Sequence, residues 1–348
     1  MAKGLLRVTG SIRLNQFWPE GQSDADTAKV LVGANGFEFR PAPDQPFRTT
    51  ATFNNTLVRG PGQPPKSPIN KKGEITVRWQ GIDAAELHYR PALPRGTGIT
   101  PEIKERFKAV NHEYRQHWGE SAPLALGKFL ATAAQEDPLP CVVESAVDNP
   151  NEVFDMYGRL VGDIFVTIKG KRINLNDWLL KEGWATPAFY ASMSAAEIKA
   201  KLKAAAEGAR KGAVPSVKDE VPTFDFQLVY RSGKTVTHPQ IGEDKGDAIM
   251  PKLFRRQTTW TCQKKAKAPV PGAFEAYLRR PTKDPDTLYL TKEFLKSGKK
   301  AAKSTLGVHF QGGALKLRPQ EMVFDEKPST LIDAASKQPV TAWFPAQG

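Results

Sequence analysis

Three short segments of the 348-residue chain hold the side chains that hydrolysis of a phosphodiester would require. They are Asp24-Ala25-Asp26-Thr27, Arg78-Trp79-Gln80-Gly81-Ile82-Asp83-Ala84-Ala85-Glu86 and Asp155-Met156-Tyr157-Gly158-Arg159. Such a reaction needs a cation against the phosphate, a group that orients or deprotonates water, and donors for the charge that develops on the equatorial oxygens. Aspartates can hold the cation, a glutamate can handle the water, and arginines can grip the phosphate. Each segment alone has a plainer reading. Asp26 could be an exposed turn residue, Arg78 a surface arginine of an alternating strand, and Asp83 with Glu86 a helix-start pair. Residues 155–159 could be only a tight turn in which Gly158 supplies a positive φ.

Other suggestive groupings fail on spacing. His112 and His117 flank Glu113 but lie five residues apart, about 140° around a helix, so they cannot form the same-face pair of a zinc-binding HExxH. Ser232-Gly233-Lys234-Thr235 has the end of a phosphate-binding loop, yet Leu228 stands where its first glycine belongs, which leaves a hairpin turn. Gly33-Ala34-Asn35-Gly36 reads as another turn.

The elements that must carry the chemical residues are short. Apolar and polar residues alternate over Leu5 to Trp18, Thr27 to Val32, Glu74 to Ile82, Cys141 to Val147 and Leu160 to Lys169, which predicts five strands. From Ser194 to Gly212, Ile198, Leu202, Ala205 and Ala209 share a helical face, and Pro215 follows. The implied fold is α+β: a five-stranded barrel of the OB type with about three helices over residues 1–216, followed by a separate C-terminal α+β domain, residues 217–348, of unassigned fold. Two insertions interrupt the barrel. Residues 40–72 are proline-rich and read as a long loop. Residues 87–118 contain a predicted helix from Pro101 to His117, with Thr100 as N-cap and Pro101 at the first helical position. In the C-terminal part, Thr223 to Thr237 reads as a hairpin, Leu288 to Lys303 as helical, Val308 to Leu317 as extended and Lys264 to Gly272 as an exposed loop. Lys252 to Trp260 mixes basic and aromatic residues as nucleic-acid grooves do; the plainer alternative is an ordinary strand.

Composition narrows the partners. Fifty Lys and Arg against 37 Asp and Glu leave a net charge of +13, of which +8 falls from Ser216 onward, and a polyanion is the expected partner. The two cysteines, Cys141 and Cys262, are too few and too far apart for a disulfide scaffold or a zinc finger. The N-terminus reaches Arg7 without the apolar run of a signal peptide, and no later apolar run could span a bilayer. A cytoplasmic protein without membrane contact is expected.

The three segments, in this order, resemble the staphylococcal-nuclease-like family, the thermonucleases. The resemblance spans roughly residues 4 to 216. It includes Gly119 to Leu130, Asn176 to Ala185 and Ala206 to Gly212, which are similar to the family's three helices. It implies that Asp26 and Asp83 bind one Ca2+ with the Ala84 carbonyl as a further ligand, that Glu86 orients or deprotonates water, and that Arg78 and Arg159 grip the phosphate. Tyr157, Phe189 and Tyr190 would contact substrate. The implied activity is calcium-dependent hydrolysis of DNA or RNA to 3′-phosphate and 5′-hydroxyl ends. The alternative is an inactive module that binds nucleic acid or protein, and the C-terminal domain could take a protein partner in either case. Three departures stand out: Ala84-Ala85 replaces Thr-Pro, Met156 replaces a lysine, and Phe189-Tyr190 is offset by one residue.

Overall fold

The computed structural model describes residues 3–133, 137–211, 249–282 and 285–344. Five strands form a closed barrel: β1 (Leu5–Ile12), β2 (Thr27–Arg40), β3 (Glu74–Trp79), β4 (Leu139–Ala146) and β5 (Leu160–Ile168). Around the barrel the order is β1, β4, β5, β3, β2 and back to β1, and only the β3–β5 pair is parallel. The alternation that predicts the strands also fills the interior. Leu6, Val8 and Ile12 of β1, Val143 of β4 and Leu160, Ile164 and Val166 of β5 all point inward and are at most 2 % exposed.

The strand β2 runs further than its alternating pattern. The tetrapeptide Gly33-Ala34-Asn35-Gly36, expected as a turn, lies within it as a bulge: pairing with β1 jumps from Val32 opposite Gly10 to Phe37 opposite Val8. The proline-rich insertion likewise holds two short strands, Arg48–Thr49 and Thr56–Arg59.

Four helices accompany these strands, the last three of them packed on the barrel core. α1 (Pro101–Val110) opens as predicted, the Thr100 hydroxyl accepting from the Ile103 N–H, but ends seven residues before His117, so His112 and His117 lie beyond it. α2 is Ser121–Ala133, α3 is Leu175–Lys181 and α4 is Ala195–Lys211. α4 is fastened to the barrel by buried Lys201, whose ammonium lies 2.8 Å from Asp163 and 2.7 Å from Asp177.

Beyond the barrel, residues Pro251–Lys265 form a helix, α5. This replaces the strand considered for Lys252 to Trp260 and takes in the start of the expected Lys264 loop. Leu288 to Lys303, expected to be helical, begins as a strand (Thr287–Leu290) that pairs with Lys303–Thr305 on one side and Met322–Phe324 on the other; only Thr291–Ser297 is α-helical. Val308 to Leu317 is extended in two short strands, Phe310–Gln311 and Ala314–Leu315, paired across Gly312 and Gly313. The hairpin expected at Thr223 to Thr237, with Ser232 to Thr235 inside it, lies outside the described residues.

The C-terminal segment packs on the barrel region in three places. Thr330–Asp333 pairs with Thr56–Arg59 of the first insertion, placing Leu331 in the barrel core. Met322–Phe324 pairs with Phe189–Tyr190, and Val323 joins Phe189 and Ile198 in a second cluster. Phe107 and Tyr114 of the second insertion share a third cluster with Leu253, Phe254 and Cys262 of α5. Both insertions are therefore seats for the C-terminal chain.

Candidate active site

The three chemical segments meet at one end of the barrel. Thr27 opens β2 directly opposite Arg78 near the end of β3, and the Trp79 N–H donates to the Asp26 carbonyl, so Asp26 and Arg78 are set side by side by sheet register. After β3 the chain turns at Gly81, with φ +76°, into Ile82–Ala84, which pairs with Ala185–Pro187. The turn is held from beneath by buried Asn176 of α3, whose amide donates to the Gln80 and Gly162 carbonyls and whose oxygen accepts from the Ile164 N–H. It is held from the side by Gln80, which donates to Glu197 of α4 at 2.6 Å.

Arg78 is the hub. Its guanidinium lies 2.5 Å from the Asp26 carboxylate and 2.5 Å from that of Asp83, and it also donates to the Asp26 carbonyl. All three residues are buried. The Ala84 N–H donates to Asp26 Oδ2, 2.7 Å away, the same oxygen that faces Arg78. Burial pushes the Asp26 carboxyl up, but Arg78, the Ala84 N–H and Arg159 together hold it below its ordinary value. Burial opposes the charge on Arg78 too, and Asp26 and Asp83 more than offset it, so this guanidinium stays protonated.

Arg159 reaches the site from the turn before β5. Asp155 Oδ1 accepts from the main-chain N–H groups of Tyr157 and Arg159 at 2.9 Å each, Gly158 takes φ +74°, and the Asp155 carboxylate holds the Arg159 guanidinium at 2.7–2.8 Å. The guanidinium also donates to the Thr27 hydroxyl at 3.3 Å, one residue from Asp26. The side chain is 28 % exposed, so part of it faces solvent. Tyr157, 59 % exposed, lies within 5.3 Å of that guanidinium and presents an open ring beside it.

The remaining residues separate. Glu86 is fixed by Gln116, which accepts from its N–H and donates its own N–H to its carbonyl. Tyr190 is mostly enclosed near Arg78 and Asp83, and burial pushes its hydroxyl up to about 12. Phe189 has no exposed surface and belongs to the cluster with Val323 and Tyr289, so no base can stack on it.

Two further residues complete the arrangement. Asp24 lies beside Asp26 and Glu86. Its carboxyl is raised well above the ordinary range by burial and by those two negative neighbours, and its Oδ1 is enclosed without a hydrogen-bond partner. The Asp-x-Asp spacing was the available signal for it. Arg255 of α5 ion-pairs with Glu86 and lies 3.5 Å from Asp83. No local sequence feature links it to residues about 170 positions away. Lys252 and Arg256, its neighbours on α5, are taken up by Glu326 and Asp286, so Lys252 to Trp260 is not an open basic groove.

Asp24, Asp26, Asp83 and Glu86 offer only hard oxygen donors, and the enclosed, unpartnered Asp24 oxygen is one that a cation could use. In ligand type the residues fit calcium. Among the described residues, no three Asp, Glu, His or Cys side chains form a ready-made metal cluster. Guanidinium groups lie on the carboxylates instead.

Residues 76–214 match the family described as staphylococcal nuclease homologue. This part of the chain is similar to a staphylococcal-nuclease-like domain, and the closed five-stranded barrel agrees with that fold. The match begins inside β3 and ends beyond α4, so it takes in the segments of Arg78 and Arg159, whereas Asp26 lies before it. No curated protein matches the chain. Among the described residues, no helix is long and apolar enough to cross a membrane.

Proposed function

We propose that this staphylococcal-nuclease-like domain is a calcium-dependent phosphodiesterase acting on DNA or RNA and leaving 3′-phosphate and 5′-hydroxyl ends, with the chemistry carried by residues 1–216. The observation that carries the reading is the convergence of separate segments on Arg78: Asp26 and Asp83 both bind its guanidinium, and Arg159 is one hydroxyl away from Asp26.

In this reading Asp26, Asp83 and the Ala84 carbonyl hold the cation. Calcium, when bound, supplies positive charge that polarises the phosphate. Arg159, with one face open to solvent, receives the scissile phosphate and stabilises the charge that develops on its oxygens. Arg78 sets the spacing of the two aspartates and adds a second positive charge behind the phosphate. Glu86, fixed through its main chain by Gln116, accepts a hydrogen bond and then a proton from the attacking water. Tyr157 stacks against a nucleoside or its phosphate at the rim.

A second reading is a module that binds nucleic acid without cutting it. The guanidinium groups of Arg78 and Arg255 on the carboxylates favour it. The deciding experiment incubates the purified protein with single-stranded DNA, duplex DNA and RNA, in calcium or in chelator, beside Arg159→Ala. Cleavage that requires calcium and collapses in the variant supports the enzyme. Binding without cleavage of any substrate selects the module.

A further inference from the structure

The C-terminal helix α5 places a cation on carboxylates of the site. Arg255 binds the Glu86 carboxylate through one nitrogen and faces Asp83 at 3.5 Å through the other, and Asp83 is already bound at 2.5 Å on its other oxygen by Arg78. Both Asp83 oxygens thus face guanidinium groups. The contact is built rather than casual. Arg255 sits on a helix whose Leu253, Phe254 and Cys262 are buried against Phe107 and Tyr114, and whose neighbours Lys252 and Arg256 are fixed by Glu326 and Asp286. Gln116 bonds both sides of the contact, holding the Glu86 main chain and donating to the Ile249 carbonyl just before α5.

A divalent cation and a guanidinium compete for the same carboxylate oxygens, and their like charges repel across a few ångströms in a partly dehydrated site. We propose that Arg255 is an internal competitor for the cation: an autoinhibitory contact through which the C-terminal region holds Glu86 and Asp83 until Arg255 is released. This rests on the reading of Asp83 and Glu86 as residues that handle a cation. Release frees Glu86 for water and Asp83 for the metal, and the freed guanidinium can then meet the incoming phosphate.

The test is binding of calcium alone, without substrate, measured by titration calorimetry and by terbium luminescence on the full chain. Arg255→Met is expected to bind calcium at least tenfold more tightly than wild type, because the competing charge is gone. Arg255→Lys keeps the charge and is expected to stay within about threefold of wild type. If Arg255→Met does not fold, Arg255→Gln, which keeps a donor to Glu86 without the charge, serves in its place. Clear calcium binding by wild type that is unchanged or weaker in the uncharged variants overturns the competition while leaving the calcium reading intact. Absence of calcium binding in wild type and in the uncharged variants overturns both.

Discussion

The two arginines from the barrel do different work, and removing them should show it. Arg159 is tied to Asp155 but keeps solvent access, so in the proposed reaction its loss takes away a phosphate donor and little structure. Arg159→Ala is expected to lower turnover by about 10²–10³-fold, about 2.7–4 kcal/mol of barrier by analogy with single oxyanion donors, at nearly unchanged denaturation midpoint. Arg78 is the counter-ion of two buried carboxylates. Arg78→Met leaves both without it and is expected to destabilise the fold by about 3–5 kcal/mol, read as a lower urea midpoint as well as lost activity. The residues that meet at the candidate site were legible as a group because Asp26, Arg78, Asp83, Glu86 and Arg159 lie in three local segments whose spacing reflects strand ends and a tight turn. Asp24 lay in one of those segments, yet its importance comes from enclosure beside Asp26 and Glu86, which spacing does not reveal. Arg255 was invisible, since only the packing of α5 brings it to Glu86.

At the scale of elements, what matters is how rigidly each short segment is aimed. The turn before β5 depends on Gly158, whose φ of +74° is costly for other residues and where an added Cβ would meet Lys66 Cε and Val58 Cγ1 at 3.1 Å. Gly158→Ala is expected to cost about 1–2 kcal/mol of stability from the backbone alone. A resulting shift of Arg159 by ~1 Å would lower turnover by up to about 100-fold, so single-turnover kinetics and a urea titration on the same variant check both effects. The barrel strands were legible because each has one face inward, which imposes period-two alternation. The elements that were misread bury residues for other reasons. The bulge at Gly33 to Gly36 has the composition of a turn but continues β2. The helix α5 buries Leu253, Phe254, Thr258 and Cys262 beneath a surface of Lys, Arg and Gln, so its short apolar stripe was masked by charge. Thr287–Leu290 is paired on both edges, and those partners, not its own pattern, make it a strand.

Across the whole molecule, the C-terminal region and the barrel region share buried surface at Leu331, at Val323 and around Phe254. Truncation after Pro215 removes the partners of Thr56–Arg59, Phe189–Tyr190 and α1 together, and is expected to give a chain that loses cooperative unfolding, seen as a broad thermal transition in circular dichroism. The same coupling predicts acid sensitivity. Lys252 lies 2.7 Å from Glu326, and Arg256 holds both oxygens of Asp286 at 2.6 and 2.7 Å. Burial raises both carboxyls, but Lys252 outweighs it at Glu326, and the Arg256 hydrogen bonds with Lys252 outweigh it at Asp286; both end below their ordinary values. A carboxyl whose pKa is lower folded than unfolded binds fewer protons in the native state, so its contribution is complete above the unfolded value, about 4, and is lost as pH falls through the folded one. The contribution of these two carboxyls to the thermal midpoint is therefore expected to be complete down to about pH 5 and to be lost below about pH 4. Glu326→Gln should lower the plateau and shrink the acid step, because one of the two depressed carboxyls is then absent from the titration. An acid step of unchanged size in that variant would place the loss elsewhere than at the Lys252 pair. Because α5 carries Lys252, Arg255 and Arg256 on one helix, loosening this network also loosens the hold on Glu86, and the acid step should coincide with faster hydrogen exchange along α5.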